Sequence, residues 1–224
     1  MKKIFIIAFC ISLPIIALSQ QSNLGNWLIY FGNKSFDKGW NWHHEVQYRN
    51  YNAGGDLEQL LLRTGIGHNL SEKNNNLLLG YGYIISENYV PVLNEKIQVN
   101  EHRIYQQFIN KHKVGIVKFQ HRFRFEQRWI KAPIVEAVFR MRARYFLSLN
   151  IPLNNKQVVD NTIYASVYNE LFINLNNNAF DRNRLYGGLG YKINDGLRFE
   201  LGYMNQFFRN SGRDQINVIA FVSF

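Results

Sequence analysis

Arginine recurs at even spacing in two neighbouring stretches of this chain. The arginines stand at 122, 124 and 128 and again at 140, 142 and 144, and Glu126 lies among the first group. Guanidinium groups pair with carboxylates and phosphates through charge-assisted hydrogen bonds, and rings of arginine favour anions in a narrow pore. The pattern therefore indicates either a basic track for an anionic solute or a set of structural ion pairs.

The spacing also identifies the element that must position these side chains. Between Val117 and Trp129, mostly aromatic residues alternate with mostly charged residues without a break. A period of two is that of a β-strand, because successive side chains point to opposite faces of a sheet. One face of this predicted strand is apolar and the other is charged.

The same alternation continues to the C-terminus, interrupted by turn-forming clusters of Asn, Gly, Asp and Pro. It predicts strands near 24–33, 40–51, 57–68, 77–86, 97–109, 115–130, 138–151, 162–174, 184–193, 197–208 and 215–224. We expect an all-β fold, an antiparallel up-and-down transmembrane β-barrel of ten to twelve strands. Eleven is an odd number, whereas bacterial single-chain barrels have even counts. The segment 24–33 is then either a strand or half of a missed hairpin.

The first nineteen residues have the features of a secretory signal peptide. Lys2 and Lys3 precede an apolar run from Ile4 to Leu18, which is short for a spanning helix, and small residues precede a cut after Ser19. The alternative is an uncleaved membrane anchor. We expect a signal peptide at 1–19 and one barrel domain at 20–224. The single cysteine, Cys10, lies in the signal, which excludes a disulfide scaffold and thiolate chemistry from the mature chain.

Three structures use alternating strands: a β-sandwich, a soluble lipocalin-like barrel, and a membrane barrel with its polar face in the lumen. Strands of the spanning length of about 9–11 residues, Tyr and Trp near strand ends, and an export signal without cysteines favour the membrane barrel. We therefore expect the outer membrane as the location. The net charge of +10 does not indicate nucleic acid, because the arginines recur within strands of an exported chain.

The predicted turns fall into two groups. Short polar ones lie at 70–76, 110–114, 152–160 and 194–196, and longer ones at 87–96, 131–137, 175–183 and 209–214. Membrane barrels have short periplasmic turns and longer extracellular loops. This pattern places the first group, together with the C-terminus, on the periplasmic side.

Strand pairing about these turns predicts partners for the charged side chains. Pairing of 115–130 with 138–151 sets Glu126 opposite Arg142 and Arg124 opposite Arg144. A turn at 110–114 sets Glu101 opposite Arg124 and Arg103 opposite Arg122. The expected lumenal network comprises Glu45, Arg49, Glu101, Arg103, Arg122, Arg124, Glu126, Arg128, Arg140, Arg142, Arg144, Glu170, Arg198 and Glu200.

The order of several short motifs resembles a family of outer-membrane β-barrels known as domain of unknown function (DUF) 2490. The motifs include Glu-Val-Gln-Tyr-Arg at 45–49 and His-Arg-Phe-Arg-Phe-Glu-Gln-Arg at 121–128, and the others lie at 60–65, 78–83, 101–103, 144–146, 168–170, 180–184 and 200–203. The final Phe224, on an alternating apolar strand, also looks like the C-terminal signal presented to the barrel assembly machinery. The resemblance implies a fold and a location, and it implies no reaction.

Two functions are favoured by these observations, and a barrel enzyme ranks third behind them. The first is a narrow channel with a basic, anion-favouring lumen, and the alternative is a non-conducting structural or interaction barrel with a lumen plugged by ion pairs. We expect no enzyme activity, no catalytic residues, no cofactor and no metal site. The expected partners are outer-membrane lipid, the barrel assembly machinery and an anionic small solute, with no nucleic acid.

Overall fold

The described part of the chain is almost entirely β-strand. The computed structural model describes residues 24–52, 54–70, 74–90, 95–176 and 178–224, and the predicted signal peptide lies outside them. Within these residues no helix is both long enough and apolar enough to cross a membrane. The described helical structure is a short 3-10 turn, Asp37–Gly39.

Eleven strands within the described residues form one closed barrel, with each consecutive pair antiparallel. The strands are β1 Leu24–Ser35, β2 Trp40–Asn50, β3 Leu57–Asn69, β4 Asn75–Val90, β5 Glu95–Val114, β6 Val117–Lys131, β7 Val138–Pro152, β8 Thr162–Asn174, β9 Phe180–Asn194, β10 Leu197–Phe207 and β11 Gly212–Ser223. The all-β barrel prediction is confirmed, and the strand count lies within the expected ten to twelve.

The barrel closes through a parallel pair, which corrects the wholly antiparallel prediction. Strand β1 pairs with β11 from Leu24 opposite Asp214 to Asn33 opposite Ser223. With an odd number of alternating strands, the first and last must run in the same direction, so closure requires one parallel ladder. The segment 24–33 is therefore a wall strand, and the expectation of an even count is wrong for the described residues.

The odd count places Leu24 and Phe224 at opposite ends of the barrel, which we call the N-terminal and C-terminal mouths. The C-terminal mouth contains Phe224 and the β1–β2, β3–β4, β5–β6, β7–β8 and β9–β10 connections, and the N-terminal mouth contains Leu24 and the other connections. The connection at 153–161, predicted to be among the short turns, is the longest between two described strands. Connection length therefore does not distinguish the two mouths.

The alternation in sequence becomes a division between the inside and the outside of the barrel. The charged parity points inward, where Glu126 and Arg124 are buried, and the apolar parity points outward. The exposed apolar side chains include Leu28, Leu62, Ile66, Leu79, Ile104, Phe123, Val167, Leu189, Leu201 and Val218. A soluble barrel with an apolar interior would show the opposite arrangement.

A buried tyrosine on β8 packs against a glycine on the neighbouring strand β9. Tyr164 is fully buried and lies opposite Gly190, where an added Cβ would come within 2.2 Å of the tyrosine Cζ. The Tyr164 hydroxyl donates to Glu200 at 2.9 Å, which holds the ring in this position. Glycine at 190 thus leaves the space that the ring occupies.

We expect Gly190→Ala to lower the free energy of unfolding by about 1–3 kcal/mol, because overpacking displaces a buried ring. Gly187 is the matched control, since nothing lies within 4 Å of a Cβ added there. Gly187→Ala is expected to change stability by less than about 0.5 kcal/mol. Urea titration of both variants measures the difference, and equal stabilities would contradict the packing argument.

Candidate functional site in the barrel interior

Glu126 is the centre of the charged interior. It is fully buried on β6, and its Oε2 accepts hydrogen bonds from Nε and Nη2 of Arg142 at 2.9 and 2.7 Å. Its Oε1 accepts a hydrogen bond from Nη1 of Arg144 at 2.7 Å. Arg103 lies at 3.3 Å and Arg124 at 3.8 Å from the same oxygen. One carboxylate therefore compensates part of the charge of four arginines.

Two further glutamates extend this cluster in both directions along the barrel. Glu170 on β8 lies 2.5 Å from Arg144 and 2.7 Å from Arg122. Glu101 on β5 lies 2.5 Å from Arg103 and 2.8 Å from Arg128. Because Arg103 and Arg144 each bridge to Glu126, the three carboxylates belong to one connected network.

The network is buried in the barrel interior together with neutral side chains. Among the described residues, seven arginines and five glutamates are buried. Trp27 packs against the guanidinium of Arg49, with the Cζ atom 3.6 Å from the ring centroid. Met204 on β10 shares an apolar cluster with Trp27, and Ile84 on β4 is also fully buried. Interior side chains can fill a barrel of small strand number, and here they form a layer that we call the ion-pair layer. It consists of Glu45, Arg49, Arg63, Glu101, Arg103, Arg124, Glu126, Arg142, Arg144, Glu170 and Arg184 with Trp27, Ile84 and Met204.

The predicted register between β6 and β7 is confirmed, and the predicted register between β5 and β6 is wrong. Glu126 faces Arg142 and Arg124 faces Arg144, as predicted. However, Arg103 faces Arg128, and Arg124 faces Gln107. The turn between β5 and β6 lies at Gly115–Ile116, where Gly115 has a positive φ of 59°, and not at 110–114. Moving the turn shifts every pair along the two strands, so Glu101 contacts Arg103 and Arg128 and not Arg124.

Three of the predicted network residues lie at its margins. Arg140 is exposed near the start of β7 and donates to the carbonyl oxygen of Phe139 at 3.1 Å, so it does not join the network. It has the inward parity, but it lies at the N-terminal mouth beyond the packed interior. Arg198 is half-buried, with its Cζ atom 3.9 Å from the centroid of the Phe221 ring. Glu200 is buried and accepts the hydrogen bond from Tyr164.

The predicted network lacked Arg63, Asp181 and Arg184, which form ion pairs with its members. Arg63 lies 2.6 Å from Glu45, Asp181 lies 2.7 Å from Arg142, and Arg184 lies 3.7 Å from Glu170. Arg63 stands directly opposite Glu45 in the β2–β3 ladder. Pairing β2 with β3 about their turn would have found that pair from the sequence.

A water-accessible cavity lies between the ion-pair layer and the C-terminal mouth. It has a volume of about 530 Å³, and Arg124, Arg144 and Glu170 form part of its floor. Its walls carry nine basic and four acidic side chains. At the mouth, Lys192 lies 2.5 Å from the Asp195 carboxylate, and this hydrogen bond holds the pKa of Asp195 below its ordinary value.

Phe224 follows the last residue of β11 at the C-terminal mouth. Its backbone N–H donates to the carbonyl oxygen of Asn33 at 3.1 Å, and its ring lies 5.6 Å from the ring of His44 between centroids. The C-terminal residue is therefore tied to β1 and β2, next to the parallel closure of the barrel.

These features define the chain as a closed β-barrel with a charged, ion-paired interior and an apolar exterior. Residues 24–217 match the family described as "Protein of unknown function (DUF2490)", so the chain belongs to that family, as the sequence motifs predicted. It is also 33% identical over 174 residues to an uncharacterized protein of Methylorubrum extorquens. That match covers 74% of this chain and 70% of the relative.

Proposed function

We propose that this protein is an outer-membrane β-barrel whose lumen is closed by the ion-pair layer. The observation that supports it is that the barrel wall has an apolar outer face and a charged inner face. Leu79 and Leu201 on the outside are each 59% exposed, whereas Glu126 on the inside is fully buried. Exposed apolar patches of this extent are rare on soluble monomers, and lipid is the solvent that suits them.

Aromatic residues on the outer surface support the same proposal. Trp40 packs edge-on against His68 towards the C-terminal mouth, and Trp129 packs against Phe139 towards the N-terminal mouth. Aromatic side chains at the two ends of an apolar band are typical of membrane barrels, where they lie at the headgroups. Outer-membrane lipid and the barrel assembly machinery are the partners that this proposal requires, and Phe224 is the residue proposed for recognition by the latter.

The ion-pair layer supports a non-conducting barrel. An ion that crosses the lumen would have to separate Glu126 from arginines held at 2.7 Å, and a buried charge left without its partner costs about 3–5 kcal/mol. We propose a structural role for the network, with loops and the cavity available for interactions, and no catalytic activity.

A narrow channel that favours anions is the second candidate function. The excess of basic over acidic side chains along the cavity walls favours it, because basic rings attract anions. In that case the arginines of the layer would separate to form the conduction path.

Conductance of the purified protein in a planar bilayer tests the two candidates. For the plugged barrel we expect no single-channel current at any salt concentration.

Arg124→Ala combined with Arg144→Ala is expected to lower the free energy of unfolding by about 3 kcal/mol or more, because it leaves buried carboxylates with fewer partners. Arg140→Ala is the matched control, since Arg140 is exposed and bonds a backbone carbonyl. Anion-selective current in the wild type, altered in the double variant, would instead establish the channel.

A further inference from the structure

The cavity at the C-terminal mouth contains basic groups that the ion-pair layer does not neutralise. Arg122, Arg144 and Arg184 are all directed to Glu170. Lys192 contacts Asp160 and Asp195. These contacts engage two of the four carboxylates that line the cavity. Of the other two, Glu45 is paired with Arg63 at 2.6 Å and Glu200 accepts a hydrogen bond from Tyr164.

Among the cations that line the cavity, Arg49 is held by the carboxamide oxygens of Gln47 and Gln59. Three others, Lys111 on β5, Lys118 on β6 and Arg198 on β10, have neither a carboxylate nor a carboxamide partner among the described residues. All three line the cavity. Strands β5 and β6 lie across the barrel from β10, so these side chains approach one another from opposite walls. Lys111 and Lys118 are both close enough to Arg198 for its charge to repel them.

Like charges that converge in an enclosed space raise the local concentration of a counter-ion. The barrel wall encloses this space, and its inner surface also supplies carboxamides near the mouth. The side chain of Asn76 donates to Asn41 at 2.7 Å, and that of Asn41 donates to Asn33 at 3.0 Å. Phe221 fixes the Arg198 guanidinium by stacking, which lowers the entropy lost when its donors bind a ligand.

We propose that the cavity is a binding site for a small, soluble, phosphate-bearing anion, held by Lys111, Lys118 and Arg198. A phosphate group offers several acceptor oxygens with more than one negative charge, and ammonium and guanidinium groups bind such oxygens through charge-assisted hydrogen bonds. The enclosing wall favours a soluble anion over a lipid headgroup. This inference rests on the cavity and does not depend on whether the ion-pair layer conducts.

Calorimetric titration of pyrophosphate into the detergent-solubilised full chain tests the proposal. We expect saturable binding that weakens as salt is added. Lys111→Gln, Lys118→Gln and Arg198→Gln should each weaken binding about tenfold, the effect of losing one charge-assisted hydrogen bond. Lys156→Gln is the matched control: it removes the same charge at the same mouth, from an exposed loop position outside the cavity lining, and should leave the affinity unchanged.

Two results would overturn the proposal. One is equal affinity for pyrophosphate in Lys111→Gln and Lys156→Gln, which would show only a general attraction to a basic protein. The other is absence of pyrophosphate binding while a short-chain anionic phospholipid binds and depends on Lys111, which would assign the site to a lipid headgroup. Resistance of each variant to unfolding by detergent at room temperature, compared with wild type, confirms that the barrel is intact.

Discussion

Glu126→Gln is expected to lower the free energy of unfolding by about 3–5 kcal/mol, the cost of removing one partner from a buried ion pair. The substitution retains the size of the side chain but removes the charge that faces Arg103, Arg124, Arg142 and Arg144. Like charges would then repel one another around a side chain that has no solvent-exposed surface. Urea titration in phospholipid vesicles, followed by tryptophan fluorescence, measures the change.

The matched control for this prediction is Glu136→Gln. Glu136 is exposed between β6 and β7, so the loss of its charge is expected to change stability by less than about 0.5 kcal/mol. If Glu126→Gln were no more destabilising than this control, the network would not stabilise the barrel. Should Glu126→Gln fail to fold, Glu170→Gln provides a second test, since Glu170 also faces three arginines at a cavity wall.

Leu201→Arg is expected to destabilise the folded protein by about 2–4 kcal/mol in a bilayer, the cost of arginine on the lipid face near the midplane. Leu201 lies in the middle of β10, with Leu189 and Val218 beside it on the outer surface. On a surface exposed to water, the same substitution would usually change stability by no more than about 0.5 kcal/mol. The experiment therefore distinguishes lipid from water as the solvent of the apolar face.

Phe207→Arg supplies the depth control, because Phe207 is exposed at the last position of β10. In a membrane barrel the cost near the interface falls to about 0–1 kcal/mol. Both variants are measured by urea titration of folding into vesicles. Equal, small effects at both positions would argue against a membrane-embedded exterior.

The strand positions and the direction of most side chains could be predicted from the sequence. Each depends on a period of two between adjacent residues, which is a local property of the chain. The inward parity of Glu126 and Arg124 and the outward parity of Phe123 follow from it. Parity alone could not show that Arg140 lies beyond the packed interior, because this depends on how far the neighbouring strands extend.

Register and closure were decided only by the tertiary structure. Glu101 meets Arg128 because the β5–β6 turn lies at Gly115–Ile116, and a turn displaced along a continuous alternating stretch leaves the parity unchanged. The alternation therefore does not fix which charges meet across two strands. The parallel pairing of β1 with β11 joins opposite ends of the sequence, and its existence depends on the total number of strands in the closed sheet. The sequence by itself determined which side chains face inward, whereas the three-dimensional pairing determined which cations are neutralised and which, as at Lys111, Lys118 and Arg198, have no carboxylate partner among the described residues.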